Sequence, residues 1–109
     1  LGSEVVKRES VVDLLQVIAE PRRREILRLV WDRELAAGEI AARFDVSFPA
    51  VSQHLGVLRN AGVVSIRRDG RTRFYRADRK ALGPLRPLLE QMWASSLDRL
   101  VDLIEEENG

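Results

Sequence analysis

The residue types that could do chemistry in this chain gather between Ser47 and Arg76. Gln53 carries an amide that can pair bidentately with adenine through N6 and N7. The hydroxyls of Ser47 and Ser52 suit phosphate oxygens or base edges. Arg59, Arg67, Arg68, Arg71 and Arg73 supply fixed positive charge of the kind that neutralises phosphates. This is the chemistry of recognition and not of catalysis. The chain has no Cys, a single His (His54), no Ser-centred nucleophile motif and no glycine-rich phosphate loop. No enzyme, metal site or cofactor is expected.

The elements that must position these groups are legible from capping and periodicity. Ser47 is an N-cap signal, Pro49 fits a first helical turn, and Gly62 is a stop. At about 100° per residue, Val51, Leu55 and Leu58 share the core edge of this helix. Pro49, Gln53, Gly56 and Asn60 take the opposite edge, with Ser52 and Val57 beside it. Gly56 costs roughly 1 kcal/mol against Ala inside a helix. Two readings of it stay open: something approaches closely there, or it accommodates packing against the next element. Gln53 is read as a base contact, the alternative being an ordinary surface residue. His54 lies beside the core edge and reads as a structural histidine or a phosphate neighbour.

Upstream, Ala36 to Phe44 reads as a helix and Asp45-Val46 as a turn. Downstream, two strands at about 63–68 and 71–77 flank Asp69-Gly70, a hairpin signal in which both turn residues take positive φ. One of Phe74 and Tyr75 must close the core, since they face opposite sides of a strand. Helix, turn, helix and a basic hairpin together form the layout of a winged helix-turn-helix DNA reader.

Charge supports that layout. The 109 residues carry a net charge of only +1. Residues 59–80, however, hold eight positive groups against two negative ones, and residues 90–109 hold one against six. A polyanion would meet the first stretch and avoid the second. Arg76 extends the basic stretch. Asp98, Asp102, Glu105 and Glu106 read as a solvated helix face, the alternative being a site for a hard cation.

The rest of the chain supplies the scaffold. Ser10 caps a predicted helix at 11–19, Pro21 opens one at 21–32, Asp78 caps a short turn, and Gly83, Pro84 and Pro87 mark a kinked start. A long amphipathic helix is then predicted over about 84–107. The expected fold is mainly α with a small β-hairpin, in one domain over 10–109. Residues 1–9 read as a flexible lead-in whose Leu-Gly-Ser opening resembles a cloning scar. No run of about 18 apolar residues suggests a membrane span, and the lack of Cys fits a cytoplasmic protein.

At these residues the chain resembles the ArsR family of bacterial winged-helix repressors. The resemblance is carried by Pro21-Arg22-Arg23-Arg24-Glu25-Ile26-Leu27, by Ala37-Gly38-Glu39-Ile40-Ala41, by Pro49-Ala50-Val51-Ser52-Gln53-His54-Leu55 with Leu58, Ala61 and Gly62, and by Arg67-Arg68-Asp69-Gly70-Arg71 with Tyr75. It spans about residues 10–105. It implies a homodimer on a palindromic operator, with repression of transcription, the fourth helix in the major groove of double-stranded DNA, and the first and last helices at the dimer interface. Phe48 departs from the family, which often has a polar or basic residue there. Cysteine ligands of the metal-sensing members are absent from Leu35-Ala36-Ala37-Gly38-Glu39, and the last helix has no His. The resemblance is therefore to metal-independent members.

Uncovered apolar stripes point to the same dimer. Val11, Leu14, Leu15 and Ile18, with Leu89, Met92, Trp93, Leu97, Leu100 and Ile104, are the expected interface residues. Leu89, Met92, Trp93 and Leu97 could also line a cavity for an apolar small-molecule effector, the alternative being plain dimer core. A winged-helix module that binds only proteins is the rival reading. The acid-poor arginine cluster argues against it.

Overall fold

The computed structural model describes residues 11–95. Helix α1 covers 11–18 and is followed by α2 (Pro21–Leu29), strand β1 (Leu35–Ala36), α3 (Ala37–Ala41), α4 (Phe48–Asn60), β2 (Val64–Asp69), β3 (Thr72–Ala77), a 3-10 turn (Gly83–Leu85) and α5 (Arg86–Ser95). The Ser10 cap, the lead-in over 1–9, and Leu97, Leu100 and Ile104 lie outside the described residues. No helix among the described residues is long and apolar enough to cross a membrane.

The arginines after Pro21 explain how α1 joins α2. A helix end leaves carbonyls without partners. Arg23 Nε donates to the Val17 carbonyl at 2.7 Å, and Arg24 Nη1 donates to those of Ile18 and Ala19 at 2.8 and 3.0 Å. Glu20 caps α2 by accepting the Arg22 N–H at 3.0 Å, with Pro21 in the first turn. Helix α2 stops at Leu29, three residues before the predicted end. The Val30 carbonyl is taken by the Ala77 amide at 2.9 Å, so the chain leaves the helix there to meet the sheet.

That sheet has three antiparallel strands in the order β1-β3-β2, not the two of a simple hairpin. Leu35 pairs with Tyr75 and Ala36 with Phe74. A two-residue strand has no periodicity of its own, and only its partner defines it. Helix α3 is shorter than the predicted Ala36–Phe44. Beyond Ala41 the amides of Arg43 and Phe44 turn to carbonyls three residues back, which tightens the chain out of the α-helix.

The turn of the wing also differs from expectation. Asp69 pairs with Thr72, leaving Gly70-Arg71 as the two-residue turn. Gly70 takes φ +62°, and no non-glycine residue among the described residues has positive φ. One positive φ at the first central position marks a II′-type turn, not the I′ type that needs two.

Helix α4 begins and ends as its sequence signals. The Ser47 hydroxyl accepts the Ala50 N–H at 3.3 Å. At the other end Gly62 takes φ +74°, its amide reaching the Arg59 carbonyl and that of Val63 the Leu58 carbonyl. These paired bonds form a Schellman motif, which requires a left-handed residue at that position. The core joins Ile26, Leu27 and Val30 of α2 and its end to Ile40, Val51, Leu55, Leu58, Val63, Tyr75, Leu82 and Leu89.

Two residues expected at the dimer interface are buried in the protomer's own core, Ile18 at 1% exposed and Leu89 at 0%. The amphipathic stripe of each helix is wide enough to serve the protomer's own core first. Trp93 is half-buried, its indole N–H donating to the Arg24 carbonyl at 3.0 Å and its ring edge-on to Trp31 at 5.3 Å. Leu14 and Met92 are half-buried, while Val11, Val12 and Leu15 stay exposed along α1.

Candidate nucleic-acid interface

Helix α4 is held from behind by Val51, Leu55 and Leu58, all buried. Its remaining side carries Pro49, Ser52, Gln53, Arg59 and Asn60, all exposed, and the half-exposed Gly56. No acidic residue stands in its first turn. Four amides at a helix start lack intrahelical partners, and here the Ser47 hydroxyl satisfies that of Ala50. Ser47 is therefore a cap, and its hydroxyl keeps a proton to donate.

Apart from its chain neighbours and the backbone of its own helix, nothing among the described residues lies within 4 Å of the position a Gly56 Cβ would occupy. Packing against the wing is thus not what keeps a glycine there. Gly56→Ala should stabilise the free protein by about 0.5–1 kcal/mol, since alanine is the better helix former. If duplex DNA approaches this face, the same change should weaken its binding. Thermal melting and DNA titration of the one variant should move in opposite directions.

His54 sits on the flank of α4 toward α1 and α2. Its Nδ1 lies 3.5 Å from Arg23 Nη1, and a guanidinium can only donate. Burial pushes the imidazole pKa below its ordinary value, opposed by the nearby Glu20 carboxylate and reinforced by Arg23 and Arg22. A neutral acceptor ring suits this position. The residue joins the flank of α4 to α2 through Arg23.

In the wing, strand pairing decides which arginines are available. Val64, Ile66 and Arg68 lie opposite Ala77, Tyr75 and Arg73, and directly paired residues share a sheet face. This face packs Val64, Tyr75 and Ala77 into the core, then runs out to the Arg68–Arg73 pair at the tip. Like charges directly opposite repel one another. Such a pair is relieved by an anion. Among the described residues, Arg59, Arg68, Arg71 and Arg73 make no ion pair or side-chain hydrogen bond.

Arg67, expected among the DNA contacts, is already engaged within the protomer. It lies on the other face, where Nε and Nη2 donate to Glu34 at 3.0 and 2.6 Å and the guanidinium stacks on Phe74 at 4.5 Å. The hydrogen bond from Arg67 holds the Glu34 carboxyl below its ordinary pKa. Arg67 thus fastens the wing to the segment before β1, and its charge is already matched. Arg76 donates to the Asp32 carbonyl at 3.4 Å and Arg79 pairs with the Asp32 carboxylate at 3.2 Å. The basic stretch of the sequence therefore divides into arginines that brace the sheet and arginines that stay open. Glu34 went unnoticed in the sequence because its partner is 33 residues away, and no local pattern carries that.

A capped helix with one polar exposed side, set beside an arginine-tipped wing, defines a winged helix-turn-helix DNA-binding regulator. Residues 20–65 match the family model described as bacterial regulatory protein, arsR family. The chain is 40% identical over 92 residues to the HTH-type transcriptional regulator Rv2034 of Mycobacterium tuberculosis, covering 84% of this chain and 86% of that one. It is 35% identical to the transcriptional activator HlyU of Vibrio cholerae, covering 78% and 79%. The solution structure of the homodimeric winged helix-turn-helix domain of Mb0332 from Mycobacterium bovis superposes with a TM-score of 0.72 at 26% identity, covering 86% of this chain and 87% of that one. The chain belongs to the ArsR family of transcriptional regulators.

Proposed function

We propose that the protein is a homodimeric repressor that binds a palindromic operator in double-stranded DNA and is not an enzyme. The observation that carries this reading is the set of unpaired arginines, Arg68, Arg71 and Arg73, beside the acid-free exposed side of α4. In this reading Pro49, Ser52, Gln53 and Gly56 face the major groove, Ser47 holds the helix start, and Arg59 and the wing arginines meet phosphates. The exposed Val11, Val12 and Leu15 of α1 favour a second copy as partner, in line with the homodimeric relative. A two-fold dimer would set its α4 helices about 34 Å apart, one turn of duplex. Repression by occupying a promoter needs no contact beyond DNA. Activation, the role named for HlyU, would need one more.

The test is duplex binding at several salt concentrations. Wild-type affinity should fall steeply with salt, with the slope set by the phosphates neutralised. Arg71→Ala should reduce that slope by about 0.9 per protomer. Arg67→Ala should change it far less, because Glu34 already matches its charge. Absence of duplex binding at low salt would overturn the reading.

A further inference from the structure

Among the described residues, four large hydrophobic side chains are exposed: Val11, Val12, Leu15 and Phe48. Three of them share α1. Phe48 stands apart, as the first residue of α4 and 54% exposed. Its position is fixed by the preceding Ser47 cap and the following Pro49. Residues four apart on a helix are neighbours, so Phe48 lies one turn ahead of the exposed Ser52. Helical side chains lean toward the N-terminus, so a first-turn ring covers the surface ahead of the helix. In a helix-turn-helix, that end of the recognition helix is the part that meets base edges.

A phenyl ring neither donates nor accepts there. It offers nothing to a phosphate, and the major groove presents one apolar group, the 5-methyl of thymine. The geometry points to Phe48 as a specificity residue that packs against a thymine methyl in each operator half-site. This rests on the proposed DNA binding by α4 and adds to the polar contacts of Ser52 and Gln53. The site recognises an apolar spot on the groove floor, so it discriminates by loss of contact and not by loss of a hydrogen bond.

The experiment uses the full chain. A preferred duplex is selected from a random pool, and each of its thymines is then replaced singly by deoxyuridine, which removes only the methyl. Wild type should lose about fourfold in affinity at one thymine of each half-site, the worth of one buried methyl-sized group. Phe48→Ala should be indifferent to that replacement, and Phe48→Leu should retain part of the penalty. Because the ring is half exposed, both variants should melt close to wild type. Wild-type indifference to uracil at every position would overturn the proposal while leaving DNA reading by α4 intact. So would a penalty that survives in Phe48→Ala. A pool that yields no preferred duplex would overturn both.

Discussion

Replacing Gln53 by alanine should cost about 1–3 kcal/mol of preferred-duplex binding for each protomer that makes the contact, the usual worth of one bidentate base pairing. Gln53 is exposed, and no hydrogen bond within the described residues engages its amide. The variant should therefore fold as well as wild type, within about 0.5 kcal/mol. Its loss should be selective: affinity for the preferred duplex falls, while affinity for a scrambled one stays nearly constant. Fluorescence anisotropy against both duplexes separates the cases. Equal loss on both would make Gln53 a phosphate contact and would leave base reading to other residues on the helix.

Leu58→Ala should have the largest effect on stability, about 2–5 kcal/mol, because it empties a fully enclosed site. Leu58 is 0% exposed, and its carbonyl receives the Val63 amide in the motif that ends α4. A domain of this size is stable by only about 5–15 kcal/mol, so a large share of the total would be lost. Urea denaturation should show a lowered midpoint with an unchanged slope. A shift below about 1 kcal/mol would mean that the surrounding core residues collapse into the space.

These two residues show why one side of α4 could be read in advance. The caps at Ser47 and Gly62 and the spacing of Val51, Leu55 and Leu58 are local signals, each set by a few neighbouring residues. The end of α2 is not legible locally because it depends on an amide 47 positions further on, that of Ala77 bonding to Val30. Strand β1 and the Glu34–Arg67 clamp escaped for the same reason. Each exists only once distant segments have met. The turn falls at Gly70-Arg71, one residue beyond Asp69-Gly70, because an Asp-Gly pair signals a turn more strongly than it signals which turn. Amphipathic patterning likewise marks Ile18 and Leu89 as buried, expected against a second copy, and the protomer's own core already buries them.

Arg23 links surfaces that are otherwise separate. Its guanidinium holds the last carbonyls of α1 and also meets His54 on the flank of α4. The exposed apolar side of α1 and the polar side of α4 thus share one mechanical joint. A tilt of α1 would drag this guanidinium and load the flank of α4 directly, with no need for a long relay through the core. Closely packed protein yields little to such a load, so even a small tilt would act on the pitch at which α4 is presented.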